Sequence, residues 1–326
     1  MRDTTAAVTP VSDRLENMPI TFFAIVMGMM GLSLALHAAT GLWPPAAALS
    51  VAVLWAGIGV FAVVAGFYLA KLLRHPQAVV AEWNHPVRLA FFPAVSISLL
   101  LIATALHATQ PAVANLVWWL GAAGQAVLTI AVVSGWISHR SFQVGHLTPA
   151  WFIPAVGNVI VPVAGVPLGH AELSWLFFSG GLVFWVVLLT LVMNRLVFHD
   201  PVPARLFPTL VILIAPPAVA FVAWAQLTGG LDPFGRVMLN AAYVFAALVA
   251  VQAPKLVRLP FALSWWALSF PLAALSIASF RYGALAESAA HRWIGVAVLV
   301  LLVAVMAMLA VRTVAAIARR DICKPE

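Results

Sequence analysis

The chain predicts an all-α polytopic membrane protein, ten transmembrane helices arranged as five helical hairpins. Three observations carry this. First, 64% of the 326 residues are hydrophobic and only 8% charged, far below the roughly 25% charge of a soluble globular domain. Second, the basic residues fall almost entirely on one side of a ten-span scheme. Third, proline alternates: it occurs inside the third, fifth, seventh and ninth apolar segments and is absent inside the even ones. Interior proline removes a backbone hydrogen bond and bends a helix. Such a defect is tolerated in a membrane where protein or water re-satisfies the carbonyl, and is costly against lipid. One class of helix is therefore expected to surround something, and the other to shield it.

A bilayer core needs roughly 20 apolar residues per helix, and the spans read in order as follows. Residues 1–17 form a polar cytoplasmic segment without the basic start, apolar core and cleavage site of a signal peptide, so the first helix is expected to be retained. Span 1 (19–39) carries Ser33, and its Gly28 and Gly31 suit close helix packing or a soft bend where proline is missing. Span 2 (46–71) is followed by the loop HPQAVVAEWNHP, whose His75, Glu82 and His85 do not match a metal-ligand spacing. Span 3 (89–109) carries Pro93, Ser96, Ser98 and Thr104, and span 4 (113–137) is uninterrupted. Span 5 (150–166) holds Pro154, Asn158 and Pro162. Span 6 (172–197) is again free of proline, whereas span 7 (206–226) has Pro208, Thr209, Pro216 and Pro217. Span 8 (236–253) precedes span 9 (260–280), which carries Ser264, Ser269, Pro271, Ser276 and Ser279. Span 10 (291–316) closes a single membrane domain, 18–319, before a short cytoplasmic tail, 320–326.

Of the 17 Lys and Arg residues, only Arg236, Arg281 and Arg292 fall in the loops opposite the termini. The positive-inside rule then places both termini in the cytoplasm. The basic balance is thus topological and points to no nucleic-acid partner. Arg14, Arg88, Arg205 and Arg258 each precede a leucine at a cytoplasmic entrance, and His146 does so at the fifth. Two readings stand: positive-inside bias, or a quasi-fivefold ring of cations at a pore mouth.

The ten acidic residues all lie in ends or loops. Proton- and sodium-coupled carriers usually need an intramembrane carboxylate or histidine. A conduit lined by apolar groups and hydroxyls suits an anion better. Ser33, Ser96, Asn158, Ser269 and Ser276 are the candidate pore-lining polar residues; the alternative is that hydroxyls bond their own backbone or a neighbouring helix. His37 and His107 lie near the outer ends of spans 1 and 3, as structural side chains or a proton relay. Trp43, Trp83, Trp151 and Trp293 read as interfacial anchors. The single cysteine, Cys323, excludes an internal disulfide and a cysteine-based metal site. No phosphate loop, nucleophile elbow or paired-carboxylate motif is present, so no enzyme and no cofactor or metal is expected.

Span 9 reads PFALSWWALSFPLAALSIASFRY, with Phe270 immediately before Pro271 at mid-membrane. The blocks MPITFFAIVMGMMGLSLAL, HPVRLAFFPAVSIS, PAWFIPAVGNVIVP, RLFPTLVILIAPPAVAF and WWALSFPLAAL lie in order on the five odd spans. With them the chain resembles the tellurite-resistance/dicarboxylate transporter family, which includes bacterial TehA-like channels and the slow anion channels of plant guard cells. The resemblance implies odd helices around a central pore, kinked at Pro93, Pro154, Pro162, Pro216 and Pro271, and even helices as an outer ring. It further implies Phe270 as the pore gate, a homotrimer with one conduit per protomer, small monovalent anions such as chloride and nitrate as the permeating species, and residence in a bacterial inner membrane. The segments outside the spans are short, so kinase-controlled gating is not expected. Two alternatives remain open: a secondary transporter or exporter of dicarboxylate, tellurite or other oxyanions, and a scaffold or sensor without a conduit.

Overall fold

The computed structural model describes residues 11–138 and 142–323; Arg2, Arg140 and Lys324 of the charge distribution lie outside them. The described residues are helical and contain no strand. Among the described residues nine helices are long and apolar enough to cross a membrane, and the fifth span, Pro149–Gly165, is a shorter apolar helix.

The two helix classes differ in backbone as well as in proline. The even spans are single α-helices: Ala46–Arg74, Pro111–Ser138, Ala171–Phe198, Pro233–Val257 and Ala289–Ala318. Every odd span instead begins with a 3₁₀ segment and then turns α. The pairs are Ile20–Phe22 with Phe23–Ala38, Arg88–Phe91 with Ala94–Leu106, Phe207–Ile214 with Ala215–Thr228, and Leu263–Leu268 with Ser269–Leu285. Span 5 alternates twice, through Pro149–Trp151, Phe152–Val156, Gly157–Ile160 and Val161–Gly165.

This corrects the expected action of the prolines. Pro93 directly precedes the α segment of span 3, while Pro154, Pro162, Pro216 and Pro271 sit second or third in theirs. The first turn of an α-helix has N–H groups with no intrahelical acceptor, so proline forfeits no ladder bond there. These prolines mark where 3₁₀ winding gives way to α rather than bending a continuous α-helix. Nor are the even spans all free of proline: the eighth continues to Val257 and includes Pro254 in its last turns.

Within each hairpin the odd span packs on the even span that follows it. The odd spans also pack on one another in the order 1, 3, 5, 7, 9, and span 9 returns to span 1, so they form a closed ring. Between 61% and 78% of the apolar stretch of spans 1, 3, 7 and 9 is buried, against 22% to 33% for the even spans. The odd spans are the inner ring and the even spans its lipid-facing jacket.

One buried polar network pins the start of this ring. The loop after span 2 contains a short helix, Pro76–Trp83, that carries Glu82 inward. Glu82 pairs with Lys71 at 2.9 Å, their side chains 1% and 3% exposed. Glu82 Oε1 accepts the backbone N–H of Ile20 at 2.7 Å, and Oε2 also accepts the Tyr68 hydroxyl at 2.9 Å. Lys71 Nζ donates to the Met18 carbonyl at 2.8 Å. The carboxylate thus stands at the positive end of span 1 and satisfies one of its orphan donors. Removing one partner of a buried pair leaves an uncompensated charge. Glu82→Gln is therefore expected to lower stability by about 3–5 kcal/mol, read as a depressed thermal unfolding temperature in detergent; an unchanged melt would refute the role.

Candidate functional site

The odd-span ring encloses a narrow cavity of about 70 Å³ to which all five inner helices contribute, through Met27, Phe91, Phe152, Ile212, Trp266 and Phe270 among others. Toward the ends of spans 1 and 3 lies a larger cavity of about 560 Å³, lined by Ser33, His37, Ser50, Thr104, His107 and Gln110 together with apolar side chains. Ile160, Val219 and Phe270 line both. Phe270 is the aromatic member of these three shared residues. No acidic side chain lines either cavity.

Span 1 packs tightly against the segment that bears Phe270. A Cβ at Gly28 would overlap the Ser269 side chain, and one at Gly31 would lie 2.8 Å from Ala273 Cβ and 3.4 Å from Phe270 Cδ2. Only glycine lets the two backbones approach this closely. On the other side, Trp266 donates its indole N–H to Thr313 of span 10 at 2.9 Å. The segment around Phe270 is held between an inner and an outer neighbour.

The expected polar residues are distributed differently from a polar pore wall. Ser33 reaches the wide cavity, where its hydroxyl and that of Ser50 each donate to the other residue's carbonyl, at 2.9 and 2.8 Å. Ser96, Asn158, Ser269 and Ser276 line neither cavity. Ser96 bonds the Pro93 carbonyl and Gln125, Ser269 the Trp266 carbonyl, and Ser276 the Gly295 carbonyl of span 10. Asn158 donates to the Ala155 carbonyl at 2.7 Å and to Thr129 at 3.1 Å. For Ser96, Asn158 and Ser269 the reason is that a broken inner helix leaves carbonyls of its own that these side chains can satisfy; Ser276 instead ties span 9 to a carbonyl of the jacket helix behind it.

Span 4 supplies the rest of that repair, which sequence reading missed. Gln125, fully buried, donates to the Pro154 carbonyl at 3.0 Å, and Thr129 donates to the same oxygen at 2.7 Å. Trp118 donates to the Val161 carbonyl at 3.0 Å. Three side chains one helical repeat or two apart, on an otherwise apolar span opposite the broken one, were the available signal.

At the opposite end, Arg14 and Arg88 are half-buried and Arg205 and Arg258 exposed. Each stands shortly before an odd span, and His85 Nδ1 accepts the backbone N–H groups of Val87 and Arg88 at 3.2 Å. The loop histidine is thus a cap for span 3. Trp151, expected as an interfacial anchor, is instead buried and stacks on Trp136 with ring centroids 4.4 Å apart. Trp43 and Trp293 are exposed, as anchors require.

Comparison with known proteins bears on this arrangement. The family model described as SLAC1, voltage-dependent anion channel, matches residues 17–314. The S-type anion channel SLAH3 of Arabidopsis thaliana is 29% identical over 230 residues, 69% of this chain and 36% of the plant protein. An uncharacterized transporter of Methanocaldococcus jannaschii is 25% identical over 284 residues, 79% of this chain and 82% of the relative. A tellurite resistance protein TehA homolog of Haemophilus influenzae is 25% identical over 270 residues, 82% of either chain. This chain thus spans about a third of the plant channel's length and most of the two prokaryotic proteins'.

Gln125→Leu retains the shape of the side chain but withdraws the donor from Pro154 and the acceptor from Ser96. It is expected to cost about 1–3 kcal/mol, measured by thermal unfolding in detergent. A variant as stable as the parent would show that Thr129 alone suffices.

Proposed function

The chain belongs to the SLAC1 voltage-dependent anion channel family, and from there we propose that it is an anion-selective channel in which chloride- or nitrate-sized anions cross the ring of odd spans past a Phe270 gate. One observation carries the reading: Phe270 lines both the narrow and the wide cavity. A phenyl ring at such a partition bars hydrated ions because the constriction refuses to be wetted. Absence of a carboxylate along the cavities supports anions over cations, which would find no counter-charge there. Arg14, Arg88, Arg205 and Arg258 raise the local anion concentration at the cytoplasmic mouth. Ser33 and Ser50 line the wide cavity with their hydroxyl protons donated to each other's carbonyls, while Ser96, Asn158, Ser269 and Ser276 hold the wall. The protein resides in a bacterial inner membrane with both termini cytoplasmic, supported by the Lys and Arg distribution, and assembles as a homotrimer with a conduit in each protomer, a reading that rests on the family resemblance.

Phe270→Ala deletes the barrier and is expected to convert a nearly silent protein into a constitutive anion conductance, several-fold above the parent at least, in planar bilayers. The reversal potential should follow the chloride or nitrate gradient. Currents equal to the parent's would sink the gate assignment; saturating uptake driven by a proton gradient would identify a coupled carrier instead.

Sidedness can be read at Cys323. Burial pushes its thiol above the usual range, with Arg14 and Lys71 opposing, so less thiolate is present at neutral pH and alkylation should accelerate as pH rises. A membrane-impermeant maleimide at alkaline pH should label it in inside-out vesicles and spare it in intact cells. Labelling in intact cells would reverse the topology.

A further inference from the structure

The end of spans 4, 5 and 6 away from the wide cavity holds a group of buried donors for which the protein supplies no acceptor. Arg195, in the last turn of span 6, is 3% exposed. Its Nη1 donates to the Leu147 carbonyl at 3.0 Å, and its Nε has no partner. Among the described residues no carboxylate stands within ion-pair distance of this guanidinium. Thr148, next to Leu147, is 1% exposed and its hydroxyl is unpaired. Trp151 lies one turn further, its backbone N–H donating to the Thr148 carbonyl at 2.9 Å. Trp151 and Trp136 stack nearly parallel, and both indole N–H groups are buried without a partner. Phe142 closes on Trp151 edge-on at 5.5 Å.

Among the described residues Ser174 and Trp185, both earlier on span 6, also leave a buried polar atom unpaired; the other four are grouped around the single turn 147–151, through the Arg195 bond to Leu147 and the Trp136–Trp151 stack. A lone buried guanidinium is among the costliest groups a fold can hold, and unpaired indole and hydroxyl donors add to the cost. An anion answers both demands at once: it neutralises Arg195 and accepts from the surrounding N–H and O–H groups. One positive charge calls for one negative charge. Aromatic walls, with positive ring edges and little water, favour an ion that sheds its hydration easily.

We propose that this cluster binds a single monovalent inorganic anion of the halide or nitrate class, outside the conduit. None of Arg195, Thr148, Trp136 and Trp151 lines either cavity, yet Phe152, the residue after Trp151, lines the narrow one. The bound ion ties the last turn of span 6 to the start of span 5, one residue behind the conduit wall. It makes the anion a ligand of the scaffold as well as the species that crosses it.

Crystals of the full chain grown in bromide test this by anomalous scattering. The expected result is a bromide peak within hydrogen-bonding distance of Arg195 Nε; no peak at saturating bromide, or a lipid phosphodiester in its place, overturns the proposal. Thermal unfolding in detergent, with bromide replacing gluconate at constant ionic strength, supplies a second readout. Thr148→Val and Trp151→Phe each remove one donor and should raise the half-saturating bromide concentration about tenfold, whereas Phe270→Ala should leave the bromide-dependent shift intact. Titrations of Thr148→Val and Trp151→Phe that match the parent, or a shift lost in Phe270→Ala, would assign the effect to the conduit and overturn the site.

Discussion

In hydrocarbon every backbone N–H and C=O must find its partner within the protein. The architecture follows from that constraint. An unbroken α-helix meets it alone, and the five even spans do so, leaving their sides free to face lipid. An odd span that begins as 3₁₀ and then turns α cannot, because carbonyls are released at each switch. It must be wrapped. The wrapping is specific: Trp118, Gln125 and Thr129 of span 4 reach the backbone of span 5, and Gly295 of span 10 receives Ser276 of span 9. Inner and outer positions are decided by which helices can satisfy themselves.

The same constraint accounts for the apolar character of the cavities. Hydroxyls and amides on the inner helices are occupied with stray carbonyls, and what remains to line the narrow cavity is phenylalanine, isoleucine, valine, methionine and tryptophan. Such a wall offers an ion no solvation. On the proposed function, selectivity against cations would rest on the lack of fixed negative charge, and closure on the Phe270 ring that lines both spaces. Gly28 and Gly31 bring span 1 close against the segment that bears Phe270.

The spans, their pairing and the parity of inner and outer helices were legible in the chain, because long apolar runs, basic loops and the proline pattern each report a property of the whole helix. Phe270 stood out through its neighbour Pro271 and the family likeness, and the structure puts it in the lining of both cavities. Facing was not. Both sides of a membrane helix are apolar here, so periodicity carries no signal for which side Ser96 or Ser276 occupies. The 3₁₀ segments were hidden for a related reason: their residues, such as FPTLVILI of span 7, differ little in propensity from α-forming membrane sequence. The Lys71–Glu82 pair was hidden because its partners flank a bend at His75 that only the fold brings together. Glu82 looked like part of a poor metal motif and is instead the cap of span 1.

The winding of span 5 also resolves how so short a segment can serve as a full stave. Pro149–Gly165 has fewer residues than the nine long spans. Wound wholly as α-helix at 1.5 Å per residue it would measure about 26 Å, short of a hydrocarbon core of about 30 Å. The two 3₁₀ stretches advance about 2 Å per residue and bring the segment to about 29 Å. Tighter winding is thus a means of matching bilayer thickness: the helix is drawn out like a stretched spring rather than supplemented with more chain. Insertion of a residue into span 5 would spoil a match in length that its sequence alone does not advertise.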